Sequence, residues 1–176
     1  MYKRQLDNLD LILTATPQDH ERYLALGADP KKTHRTGNIK FDVTPKKLLT
    51  ADEKLALKKE MGFISKDKKK ANEQEPLILL GSSTWDGEEE MLLNIYQKAL
   101  DDGIDCKLLL VPRHGERRFE IADMMKKQKF KWHLRSTENQ AQENCQVYIA
   151  DTTGELSLLS QVADVAFIGR SMPPND

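Results

Sequence analysis

Cysteine is scarce in this 176-residue chain, and long apolar runs are missing altogether. The two cysteines, Cys106 and Cys145, stand far apart and form no Cys-x-x-Cys pair. That argues for free thiols in a reducing compartment rather than a disulfide framework. No stretch approaches the roughly 20 apolar residues of a membrane span. The start is basic, but Asp7 and Asp10 follow at once, so no secretory signal is visible. A net charge of −1 leaves no overall case for nucleic acid or an anionic membrane as partner. Gly-x-Gly-x-x-Gly and Walker motifs are lacking, and with them the common dinucleotide and nucleoside-triphosphate fingerprints. No Ser-His-Asp ordering stands out. His114 and Glu116 are close in sequence, but no other His or Cys lies at metal-ligand spacing.

What is present is an alternation of strands and helices. Hydrophobic residues make up 39%, enough for a core, and charged residues 31%, which points to a soluble surface. The chain is organised around residues 76–96. Residues 77–80 (Leu-Ile-Leu-Leu) are apolar at every position and end at Gly81. Such a run suits a strand buried on both faces of a parallel sheet. Residues 81–84 (Gly-Ser-Ser-Thr) read as a polar loop, with Asp86 as N-cap of the next helix and Glu89 completing a capping box. Met91, Leu92, Ile95, Tyr96 and Ala99 then recur at helical spacing. The acidic first turn, residues 88–90, would repel a phosphate at this helix end. The loop is therefore expected to meet hydroxyls or a sugar, with the phosphate held elsewhere.

In chain order, residues 9–14 read as a strand, and Thr16-Pro17 as a helix start. Tyr23, Leu24 and Leu26 give that helix an apolar side, and Gly27 ends it. Residues 36–42 read as a turn and an extended piece. Thr50 or Asp52 opens a helix to about Met61, and residues 65–75 form an exposed lysine-rich loop. Further strands are expected at 106–111, 131–134, 146–150 and 163–169, with helices at about 118–127 and 155–161. This is an α/β parallel sheet. In such sheets ligands sit beyond the carboxyl ends of strands. Three polar loops lie there: 82–84, 112–117 and 151–155. Arg113 can hold a phosphate or stack on a base, or simply cap a sheet edge. Thr152 or Thr153 can cap the following helix with Glu155 in its first turn, leaving amides 153–155 free for a ligand. Lys40, between Ile39 and Phe41, reads as solvent-facing on an extended strand. Trp85 can stack on a sugar or base, or pack the helix start.

Three segments together carry a resemblance: Thr36-Gly37-Asn38-Ile39-Lys40-Phe41-Asp42; Val111-Pro112-Arg113-His114 with Glu116-Arg117; and Asp151-Thr152-Thr153-Gly154-Glu155-Leu156. Ser83-Thr84 with Gly87-Glu88-Glu89, and Ala163-Asp164-Val165, agree with it. In this order the set resembles the 3-deoxy-D-manno-octulosonic acid (Kdo) transferases, two-domain glycosyltransferases of GT-B type. The resemblance covers nearly everything from Leu9 to Ser171. It implies a partial Rossmann-like nucleotide-binding domain over residues 46–176, the tail of the N-terminal acceptor domain over 6–45, and a non-native leader over 1–5. It further implies transfer of Kdo from CMP-Kdo to lipid A precursor at the cytoplasmic face of a Gram-negative inner membrane, by an inverting, metal-independent, cofactor-free reaction. The family's membrane anchor, acceptor surface and general-base glutamate have no match in this chain, which therefore reads as a soluble fragment, inactive alone. Carried over by position, Pro112, Arg113, Thr153, Gly154 and Glu155 match CMP contacts. Lys40 matches a transition-state stabiliser, and Ser83 and Thr84 are candidate donor contacts. Trp85 departs from the family, where many members have His. The alternatives are a GT-B enzyme for another nucleotide sugar and a non-catalytic nucleotide-binding module.

Overall fold

The computed structural model describes residues 2–38, 40, 47–65 and 75–171, and divides into two compact units, Met1–Lys46 and Lys47–Asp176. The first unit runs α1 (Tyr2–Leu6), β1 (Ile12–Thr14), α2 (Pro17–Ala25), β2 (Thr33–Arg35). The two strands pair in parallel, Ile12 opposite Thr33. Thr16 caps α2 by accepting the Asp19 N–H at 3.1 Å, Pro17 occupies the first turn, and Gly27 leaves the helix at φ 93°. All three follow from the sequence. β1 is shorter than the pattern predicts, because pairing with β2 extends over only three residues. α1 occupies the segment that the sequence pattern leaves without a fold role. The extended piece predicted within 36–42 and the loop predicted over 65–75 lie largely outside the described residues.

The second unit runs α3 (Ala51–Glu60), β3 (Leu77–Thr84), α4 (Glu88–Asp101), β4 (Cys106–Pro112), α5 (Arg118–Lys126), β5 (Trp132–Leu134), β6 (Val147–Ile149), α6 (Leu156–Leu159), β7 (Val165–Ile168). Its five strands lie in the order β5-β6-β4-β3-β7, and every pairing is parallel. Alternate residues of a strand face opposite sides of the sheet. Leu109 and Val111 thus join Leu57, Met61 and Leu159 on one side. Leu108 and Leu110 join Leu92, Tyr96, Ile121 and Met125 on the other. Both layers are closed, which is why β4 can be apolar throughout. Both cysteines are free and buried.

Three local expectations are corrected. Gly81 does not stop the strand: β3 continues through Ser82, Ser83 and Thr84. A Cβ at Gly81 would lie 2.6 Å from Leu92 Cδ1 and 3.0 Å from Leu110 Cδ2, so the glycine admits α4 close to the sheet. Asp86 and Glu89 form no capping box. The N-cap of α4 is Gly87, at φ 81°, without a side-chain cap, and Glu89 is engaged by residues distant in sequence. Neither Thr152 nor Thr153 caps α6, whose N-cap is Glu155, again without a side-chain cap. The start of α3 agrees with the sequence pattern, which offers Thr50 or Asp52. Thr50 caps α3 through a reciprocal box with Glu53.

Candidate functional site

Parallel pairing puts the carboxyl ends of all five strands on one edge. The chain passes from β3 to β4, β5 and β6 on one side, then crosses to β7 on the other side of β3. The crevice between β3 and β7 is therefore a topological switch point, where open α/β sheets bind ligands. Ser83, Thr84, Pro112, Arg113, Thr153, Gly154 and Glu155 all lie at this edge, in or directly after β3, β4 and β6. Lys40 belongs to the other unit, where its backbone N–H donates to Asn38 Oδ1 at 3.0 Å and the residue is exposed.

Neighbouring strand ends are tied to one another. Gly169 N–H donates to the Ser82 carbonyl at 2.7 Å, joining β7 to β3. Arg113 N–H donates to the Thr84 carbonyl at 3.0 Å, joining β4 to β3. A Cβ on Gly115 would lie 2.5 Å from the Asp151 carbonyl oxygen, so the loops after β4 and β6 touch backbone to backbone. Asp151 in turn accepts from the N–H and hydroxyl of Ser136, beyond β5. The edge is a laced row of loops rather than separate tips.

Within that row, the side chains differ in what they leave open. Pro112 is buried, while Arg113 is exposed and, among the described residues, pairs with no carboxylate. Thr153 and Gly154 are exposed, with Gly154 at φ 86°. Thr84 is fully buried; its hydroxyl donates to Glu89 Oε1 at 2.8 Å and its carbonyl accepts the Arg113 N–H, so both groups are engaged inside the fold. Glu89 is buried too and receives Arg117 at 2.8 and 3.2 Å. Burial alone would lower the Arg117 pKa, but its hydrogen bond to Glu89, with help from Glu120 and Asp86, raises it. The acidic first turn of α4 is thus largely spoken for inside the fold. Trp85 meets His114 edge-on at 5.3 Å between centroids, and the Arg170 guanidinium lies 4.9 Å over its ring. His114 Nδ1 is 3.6 Å from Glu116. Among the described residues no group of three or more His, Cys, Asp or Glu is placed to hold a metal ion.

A model of the 3-deoxy-D-manno-octulosonic-acid transferase (kdotransferase) family matches residues 1–43. The 3-deoxy-D-manno-octulosonic acid transferase of Haemophilus influenzae is 38% identical over 152 residues, covering 86% of this chain and 33% of that protein. The enzyme of the same name from Rickettsia prowazekii is 30% identical over 166 residues, covering 94% of this chain and 33% of that protein. Over most of its length the chain is thus similar to Kdo transferases. It spans about a third of the length of these relatives. The fold has its own counterpart in a crystal structure described as the C-terminal CMP-Kdo binding domain of WaaA from Acinetobacter baumannii. The TM-score is 0.55 at 24% identity, over 69% of this chain and 58% of that one. The second unit is thus a GT-B type α/β domain.

The fold also uses residues that no local pattern marks. Arg135 is 5% exposed and donates twice to Glu155 at 2.8 Å, to Glu60 at 2.7 Å and to Tyr148 Oη at 2.9 Å. The Arg135 hydrogen bond holds the Glu155 carboxyl below its ordinary range, outweighing partial burial, and Thr152 adds to it. The same bond raises the Arg135 pKa, against burial. Glu155 therefore does not reach freely for a ligand; with Thr152 and Arg135 it anchors its own loop. The Arg135 network draws on residues 60, 148 and 155, so no sequence window contains it. Glu88 and Arg170 are missed for the same reason.

Proposed function

We propose that this chain binds the CMP-Kdo donor of a Kdo transferase, with the nucleotide across the ends of β4 and β6. The observation that carries the reading is the exposed guanidinium of Arg113, which pairs with no carboxylate among the described residues, on the same sheet edge as the exposed Thr153 and Gly154. An arginine presents a planar fork that fits a phosphate, and amides at a helix start favour negative charge. Positions Pro112, Arg113, Thr153, Gly154 and Glu155 are then the CMP contacts, with Glu155 acting through its loop, and Ser83 and Thr84 border the sugar. Negative charge builds on the phosphate as the glycosidic bond breaks. Arg113 stabilises that charge. By the family resemblance, Lys40 is a transition-state stabiliser and the displacement is inverting and metal-independent. The acceptor is lipid A precursor, at the cytoplasmic face of an inner membrane. Among the described residues no helix is long and apolar enough to cross a membrane.

Thermal unfolding with added nucleotide tests the reading. CMP is expected to raise the midpoint of this chain, by the linkage between binding and stability, and UDP to raise it far less. Equal shifts with both would place the chain with GT-B enzymes for another donor. No shift with either would overturn nucleotide binding.

A further inference from the structure

The crevice between β3 and β7 is held by one carboxylate. Glu88 is 6% exposed and, among the described residues, faces no cation within ion-pair distance. Its Oε2 accepts the Trp85 N–H at 2.8 Å, and its Oε1 accepts the Arg170 N–H at 2.7 Å. The two donors come from loops following different strands, one on each side of the switch point. Both loops are conformationally costly there. Ser83 sits at φ 53° and Arg170 at φ 62°, a left-handed region that residues with a Cβ seldom enter. Gly169 lies so close to Ser83 that a Cβ would overlap the Ser83 carbonyl oxygen. Such geometry persists only when its surroundings impose it, and Glu88 is the group that reaches both sides. The consequence is the placement of Arg170 over Trp85 at the mouth of the crevice.

Building on the donor-binding reading above, we propose that Glu88 is a positioning residue. It staples the β3 and β7 loops so that Arg170 and Trp85 form a preset shelf for the acidic sugar of the nucleotide sugar. The nucleotide itself lies at β4 and β6, outside the staple. A hydrogen-bonded carboxylate is required because both of its oxygens accept. Glu88→Gln keeps the shape but turns one acceptor into a donor facing an N–H.

Calorimetric titration of this chain with CMP and with CMP-Kdo separates the two halves. Glu88→Gln is expected to leave CMP affinity within about twofold and to weaken CMP-Kdo by tenfold or more. Equal weakening of both ligands, or of neither, would overturn the proposal. Should Glu88→Gln not fold, Glu88→Asp provides the same comparison, since its shorter carboxylate stays charged but reaches only one N–H. Failure of both to fold assigns Glu88 to stability alone and also overturns it. If the wild-type chain binds neither ligand, the donor-binding reading falls first. Amide exchange then decides the staple: protection of the Trp85 and Arg170 N–H groups in the wild type must drop in Glu88→Gln, and unchanged protection would refute it.

Discussion

Arg135 shows how much of a loop's shape can rest on one side chain. Replacing it with methionine keeps most of the volume but takes the guanidinium from Glu155, Glu60 and Tyr148, leaving Glu155 only its bond from Thr152. Removing one partner of a fully buried pair costs about 3–5 kcal/mol, and an exposed pair about 0–1. The Glu155 side chain is 29% exposed, so Arg135→Met is expected to cost about 2–4 kcal/mol in urea unfolding, between those two cases. The pH dependence has a definite sign. The folded Glu155 carboxyl lies below its ordinary 4.5, so its contribution is present above that value and lost as pH falls through the folded pKa. The stability gap between wild type and Arg135→Met should therefore be full at neutral pH and narrow on acidification below 4.5. A gap that widens in acid would contradict this assignment. Arg135 was not legible in the sequence because it lies between a weak strand and a polar linker. Arg113 was legible, because it directly follows an apolar strand and lies in a family motif.

At the scale of elements, period and composition locate most of the sheet. The apolar runs that became β3, β4 and β6 announce strands, and the start of α3 was legible as Thr50 or Asp52; the structure settles on Thr50, held by the local contact with Glu53. The failures cluster at the carboxyl edge, where long-range partners replace solvent and local caps. Ser82 and Thr84 read as loop because they are polar, yet both are buried within β3, Thr84 satisfied by Glu89. Asp86 and Glu89 have capping-box spacing, but Arg117 takes Glu89 from 28 residues away. Gly81 reads as a stop, and its real role is contact with α4. Gly81→Ala puts a methyl against Leu92 and Leu110. Both obstacles are flexible side-chain ends, so the expected cost is that of modest overpacking, about 1–3 kcal/mol in thermal or urea unfolding. Unchanged stability would show that α4 does not depend on this close approach.

On the scale of the whole molecule, the family model and the fold likeness rest on different stretches, while the relatives of like sequence span both. The family model matches the first unit, while the solved structure of like fold and the polar edge concern the second. The proposed nucleotide binding to the second unit is what joins them into one functional account. The most direct test is calorimetric titration of CMP into this chain and its Arg113→Ala and Lys40→Ala variants. The account predicts that wild type binds CMP and that Arg113→Ala weakens it by about 1.5–3 kcal/mol, the worth of a charged hydrogen bond. Lys40→Ala, acting only in the transition state, should leave CMP affinity nearly unchanged. An Arg113→Ala chain that binds CMP as tightly as wild type would contradict the placement of the nucleotide at the end of β4, and with it the central claim.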